Sequence, residues 1–276
     1  MTTWFWILMA PVLGGVVYGG ERVLRARMQR RQGPPLLQPF YDMFKLMDKR
    51  TLVIHSAHAL LGVVHFFVLW VTVGAIFFGW NLLYIVFLHL FALIVLVLAG
   101  YSVRSVYSHV GANRELLALV AYEPVLLLVT VGFYLSAGSF SIDEILRHGP
   151  YLLQMPLLFL ALLIIVPIKV KKSPFDVVEA HQEIVGGVEV EYSGLFYEFL
   201  YMARFLEYLF IYSFVFLFGG AEWWLGALLV AGAFLLVNLV DNATARVRTA
   251  DMIRISYAVA LTLAVVNIIG LLVWNG

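Results

Sequence analysis

LVIHSAHALLGVVHFFVLWVTVGAIFFGWNLLYIVFLHLFALIVLVLAGY, residues 52–101, contains no Asp, Glu, Lys or Arg in fifty positions. It breaks once, at Gly79-Trp80-Asn81, into apolar runs 52–78 and 81–101. A helix crossing about 30 Å of hydrocarbon needs roughly 20 apolar residues, and each run is long enough. Six more runs follow the same pattern, at about 3–20, 116–135, 150–168, 194–218, 222–240 and 253–274. They are continuous rather than alternating, which argues against a β-barrel. The expectation is an all-α polytopic membrane protein: one transmembrane domain over 1–276, with about eight transmembrane helices and additional interfacial helices on the cytoplasmic side. Composition agrees. At 63% hydrophobic and 13% charged, the chain has too little polar surface for a soluble globule, which is about half apolar and a quarter charged. The absence of cysteine rules out a disulfide scaffold and any cysteine-ligated Zn or Fe–S centre in this chain. Eighteen Lys and Arg against 17 Asp and Glu disfavour nucleic-acid binding.

Sixteen of the 18 basic residues fall in the odd-numbered connections between spans; Arg147 lies on the even side and Arg204 within a span. The positive-inside rule makes the odd connections cytoplasmic and puts both termini outside. The first run lacks a basic leader and is followed by an arginine-rich stretch rather than a cleavage site, so it reads as a span and not a signal peptide.

Two long inner segments stand out. In 21–50, Arg22, Arg25, Arg27, Arg30 and Arg31 continue the first helix, Gly33-Pro34-Pro35 breaks it, and Phe40, Met43, Phe44 and Met47 recur at the spacing of an interfacial helix. The alternative is an ordinary basic collar. In 169–193, Ser173-Pro174-Phe175-Asp176 resembles a capping box, and Asp176, Glu179 and Glu183 then share one face of the helix that would follow, ended by Gly186-Gly187. Such carboxylates repel one another unless arginines compensate; the alternative is a solvated loop face neutralised by Lys169, Lys171 and Lys172.

Ionisable groups also occur at membrane depth, where they mark paired sites or pathways. Glu123 precedes Pro124, which leaves the Val120 carbonyl without its helical donor. Glu198, Arg204 and Glu207 lie in the sixth span; Arg204 and Glu207 can neutralise one another, and Glu198 stacks above Glu191 if the helix begins by Val190. His55, His58 and His65 cluster on span two, with His89 mid-span three: a proton relay or, more commonly, packing residues. Dense metal-ligand spacings are absent, so no metal site is expected.

The stretch from Glu21 through Gln38-Pro39, Asp42 and Lys45-Leu46 resembles the signature of the heel membrane subunit of respiratory complex I, the NADH-quinone oxidoreductase. Pro174-Phe175-Asp176, Glu179-Ala180, Glu183 and Glu191-Tyr192-Ser193 resemble its second motif, and Arg114 with Tyr122-Glu123 its third. The contracted Gly33-Pro34-Pro35-Leu36-Leu37-Gln38-Pro39 loop, Asn113-Arg114-Glu115-Leu116 and Tyr122-Glu123-Pro124 are more like the homologous subunit of membrane-bound [NiFe] hydrogenases, formate hydrogenlyase and membrane-bound sulfane reductase. The resemblance implies a subunit with no cofactor and no catalysis of its own. Its expected partners are a [NiFe]-hydrogenase-like large subunit, a small Fe–S subunit carrying 4Fe–4S clusters on the cytoplasmic side, antiporter-like membrane subunits and lipid. It implies Asp176, Glu179, Glu183, Glu191 and Glu123 as the proton-linked set; His181, Glu115 and Glu198 join by position. Arg25, Arg27, Arg30, Arg31 and Arg114 are the implied docking and electrostatic residues. A quinone-site subunit is the alternative function. A stand-alone secondary transporter is the third, disfavoured because the chain shows no matching halves.

Overall fold

The computed structural model describes residues 2–275, with side chains described from Trp4 to Trp274. In chain order the helices are α1 (Thr2–Met28), α2 (Gln38–Met47), α3 (Ser56–Phe77), α4 (Leu82–Tyr101), α5 (Val106–Ala137), α6 (Ile142–Arg147), α7 (Pro156–Lys169), α8 (His181–Ile184), α9 (Gly194–Leu217), α10 (Trp223–Ala243), α11 (Thr249–Ile255) and α12 (Thr262–Asn275). A 3-10 turn spans Gly187–Glu191, and a π-helical turn, Ser256–Leu261, joins α11 to α12. No strand forms among the described residues. The protein is an all-α polytopic membrane protein, as its apolar runs demand.

Among the described residues, seven helices are long and apolar enough to cross a membrane: α1, α3, α4, α5, α9, α10 and the α11–α12 rod. The eighth expected span is shorter than the sequence suggests. Residues 150–168 are apolar, but α7 begins only at Pro156 and has 14 residues, a rise of about 21 Å against a hydrocarbon core of roughly 30 Å. Gly149 to Met155 is non-helical, and hydropathy does not distinguish apolar turn from apolar helix.

Backbone hydrogen bonds sort the connections into two faces. On one, Leu82 N–H donates to the Phe140 carbonyl, Ile142 to Trp80, Tyr151 to Phe218 and Ala221 to His148. Six of the seven tryptophans, Trp4, Trp6, Trp80, Trp223, Trp224 and Trp274, are exposed at helix ends on this side, forming the aromatic belt of a membrane–water boundary. On the other, loop-rich face, Val247 N–H donates to the Pro174 carbonyl, Ser173 N–H to Asp241, and Leu52 N–H to Ser193. The even and odd connections of the sequence are thus two physical sides.

The core sits where α4, α5, α7 and α9 meet, with Leu93, Leu126, Leu162 and Phe214 fully or almost fully buried. Lipid chains are as apolar as leucine, so association depends on close packing. Gly14 supplies it between α1 and α9: a Cβ there would lie 2.3 Å from the Phe205 carbonyl oxygen.

Candidate functional site: a buried chain of ion pairs

Because α7 is short, its C-terminal Lys169 stops at mid-depth. Its partner Glu207 lies in α9, about 15 Å from the loop-poor end and more than three turns inside the loop-rich end. The chain from Val170 to Glu191 must therefore return through protein before α9 begins. Non-helical backbone at such depth is tolerated only when buried in protein or lining a polar cavity, and both conditions hold. Gly187 packs against Gly111 of α5, where a Cβ would come within 2.5 Å of the Gly187 Cα. Glycine at 111 thus admits the loop and sets Glu189 against α9.

The loop carries its own cations inward. Lys171 adopts a left-handed backbone (φ 56°), a conformation that costs a non-glycine residue about 1–3 kcal/mol. Its ammonium then reaches Glu115 at 3.0 Å and Glu179 at 3.1 Å. Lys172 Nζ lies 2.5 Å from Glu21 Oε1, and the Tyr208 hydroxyl donates to Glu21 Oε2 at 2.7 Å. Arg204 of α9 reaches Glu179 at 3.2 Å and pairs with Glu189 through two guanidinium nitrogens. Below them, Lys169 Nζ is 2.5 Å from Glu207 Oε2, His89 Nε2 is 3.2 Å from the same oxygen, and His89 Nδ1 faces Glu123 Oε2 at 3.9 Å. The upper pairs surround a cavity of about 90 Å³ lined by Glu115, Lys171, Glu179, Glu189, Arg204 and Glu207 among others, room for several waters.

Burial alone would raise the Glu179 carboxyl; Arg204 and Lys171 overcome it and push its pKa down to about 2. Burial likewise opposes the charge of Lys171, and Glu115 and Glu179 reverse that, raising its pKa. At the rim, the hydrogen bond from Arg114 holds Glu183 below its ordinary value. The arginines do compensate the loop carboxylates.

Several expected arrangements are corrected. Residues 173–180 do not form a helix; only His181–Ile184 is helical. Asp176, Glu179 and Glu183 therefore do not share a helical face. Asp176 and Glu183 bind Arg246 at 2.8 and 3.3 Å, and Glu183 also binds Arg114 at 2.7 Å. Glu179 turns inward instead. Long-range cations outcompete the local capping pattern. Arg204 and Glu207 do not neutralise one another, since each has a partner from the 169–189 segment. Glu198 does not stack on Glu191, because α9 starts at Gly194 and Glu191 ends the 3-10 turn. Glu198 is fully buried with neither oxygen hydrogen-bonded, apart from the chain of pairs. His181 is exposed at the start of α8.

Of the basic set, Arg25 binds Asp241 at 3.1 Å and Arg114 is engaged with Glu183 and the Val177 carbonyl. Arg27, Arg30 and Arg31 form no ion pair among the described residues; Arg31 donates to Gln29. The freed Val120 carbonyl does find another donor, the Tyr257 hydroxyl at 3.2 Å. Sequence reasoning passed over Glu21, Glu189, Lys169 and Lys171 as site residues. The one local signal was the Lys169-Val170-Lys171-Lys172 run directly after an apolar span, too close to it for all three lysines to reach bulk water.

A family model described as NADH dehydrogenase matches residues 1–272. The chain belongs to that family. Its relatives include a subunit of the NADH-quinone oxidoreductase of Thermomicrobium roseum, 30% identical over 315 residues, covering 95% of this chain and 92% of the relative. The corresponding NADH-quinone oxidoreductase subunit of Geobacillus kaustophilus is 29% identical over 301 residues, covering 95% and 90%. A chain of the membrane-bound sulfane sulfur reductase, an archaeal respiratory membrane complex, superposes with a TM-score of 0.82 over 98% of each chain at 23% identity, and so shares the fold. As a member of the NADH dehydrogenase family, this chain is a membrane subunit of the complex I kind.

Proposed function

We propose that the chain is the membrane-anchoring and coupling subunit of a multisubunit redox complex of the membrane-bound hydrogenase or sulfane reductase type. In this reading, electron transfer in an Fe–S/[NiFe]-type module docked on the loop-rich face, the cytoplasmic side, drives proton or sodium movement through adjacent antiporter-like subunits. The chain itself contributes charge movement rather than a redox centre. The observation that carries this is the series of buried acid–base pairs, from Glu21 and Glu179 at the loop-rich face to Glu207 and Glu123 at mid-depth. Burying so many charges in a span is costly, and an anchor alone does not require it. Arg27, Arg30 and Arg31, none of them ion-paired among the described residues, and the Arg114–Glu183–Arg246 rim supply the docking face.

A quinone-site role is the second reading, favoured by the names of the sequence relatives. The cavity of about 90 Å³ is small beside ligand pockets of roughly 300–1,000 Å³ and suits water better than a ring. The test is purification in mild detergent followed by identification of the partner subunits and their Ni and Fe content, with ion transport measured in vesicles. A nickel-containing partner and transport lost at least ten-fold in Glu179→Gln support the proposal. A partner without Fe–S clusters, or unchanged transport, refutes it.

A further inference from the structure

His89 stands apart from the other histidines. His65 Nδ1 is bound to the Ala92 carbonyl at 2.8 Å, and His58 stacks on Tyr192 with centroids 3.8 Å apart. The His89 ring is fully buried between two carboxylates. Phe210 stacks on it, centroids 3.9 Å apart and planes 7° from parallel, which fixes the plane in which its two nitrogens lie. Nε2 meets Glu207; Nδ1 points at Glu123 and has no hydrogen-bond partner, and neither does either oxygen of Glu123. The charged and titratable groups around the ring are Glu123 from α5, Glu207 from α9, Lys169 from α7 and His65 from α3.

We propose that His89 is the bridge through which a proton passes between Glu123 and Glu207, one proton for each excursion of its ring. The inference rests on the coupling role proposed above and names a step within it. A neutral imidazole donates from one nitrogen and accepts at the other. With Nε2–H on the Glu207 carboxylate, the Nδ1 lone pair faces Glu123. The 3.9 Å gap is about 1 Å wider than a hydrogen bond, and Glu123 sits in the turn that Pro124 loosens. Closing the gap lets a protonated Glu123 give its proton to Nδ1 as Nε2 gives its own to Glu207. Glu123 becomes a carboxylate, Glu207 an acid, and the ring stays neutral but in the other tautomer. Another transfer in the same direction requires the ring to turn out of the Phe210 stack and back. The receiving oxygen, Glu207 Oε2, is the one Lys169 holds, so a proton arriving there weakens the anchor of the segment that carries Lys171.

The test uses the intact complex in lipid vesicles, with histidines labelled in both ring nitrogens and the His89 signals identified by their loss in His89→Asn. In Glu123→Gln the His89 nitrogen resonances are expected to move, because the group facing Nδ1 has changed from carboxyl to amide. Unmoved signals overturn the bridge whether or not the complex transports ions. His89→Gln keeps an amide within reach of Glu207 but cannot relay a proton; transport is expected to fall at least ten-fold, with the peripheral module's reaction with an artificial electron carrier unchanged. Normal transport in His89→Gln overturns the proposal. If that variant does not assemble, the Glu123→Gln spectrum decides. A wild-type complex that moves no ions refutes the coupling role separately, and the spectrum still reports on the bridge.

Discussion

Replacing Lys169 by methionine tests whether the short α7 is anchored by charge. The ammonium is 2.5 Å from Glu207, and the two side chains are 3% and 14% exposed. Methionine keeps the unbranched stem and removes the cation, which lies 5.2 Å from the Tyr122 ring centroid. Breaking a buried pair by deleting one partner costs about 3–5 kcal/mol, whereas replacing both partners with neutral groups is often near neutral. With an unfolding entropy of roughly 2.1 cal/mol/K per residue, the single variant should lose about 5–9 °C in Tm. The double variant Lys169→Met with Glu207→Gln should recover at least half of that, since glutamine still accepts from His89. Intrinsic tryptophan fluorescence during heating in detergent suits a chain with seven tryptophans and no cysteine for thiol dyes. An unchanged Tm in the single variant, or a double variant worse than the single, would refute the argument that this pair is buried and matched.

Glu179 provides an acid-side signature. Its folded pKa, about 2, lies below its ordinary 4.5, so its stabilisation is complete above about 4.5 and disappears as pH falls toward 2; Tm should decline between pH 5 and 3 in wild type and be flatter in Glu179→Gln, and parallel curves would contradict the burial and pairing. Reversing Arg27, Arg30 and Arg31 together to glutamate should release the peripheral module while the chain stays in the membrane, as read by co-purification; an intact complex would make these arginines mere followers of the positive-inside rule. A cysteine at the exposed Trp274 should react with an impermeant thiol reagent from outside the cell and one at the exposed Arg248 should not; inverted labelling would reverse the two faces.

The spans and their two faces were legible because both depend on local properties: apolar length and the side on which Lys and Arg accumulate. What was not legible depends on partners far away in sequence. Ser173-Pro174-Phe175-Asp176 reads as a helix start by local rules, yet Arg246 takes Asp176 and Arg204 draws Glu179 inward, partners that no local capping pattern of about 1 kcal/mol reveals. Within α9, Glu207 was the nearest carboxylate visible to Arg204, and only the re-entrant 170–191 segment brings Glu189 closer. The truncation of α7 had the same cause. Residues 150–155 are as apolar as a helix requires, and their non-helical turn is held by the hydrogen bonds of Tyr151 to Phe218 and to Ile145.

The sum of charges gives the site its direction. Glu21, Glu115, Glu123, Glu179, Glu189 and Glu207 face Lys169, Lys171, Lys172 and Arg204. Six carboxylates against four cations leave two negative charges when all are ionised, and such an excess at membrane depth is costly. Two protons bound within the cluster restore neutrality. A proton shifted within the cluster, from Glu123 to Glu207 for example, leaves the total unchanged and alters only which cation is held. The energetic cost of moving it is therefore one of rearranging pairs rather than creating charge. Under the coupling role proposed above, negative charge arriving at a module on the loop-rich face would draw such a proton upward, from the deeper Glu123 toward Glu207.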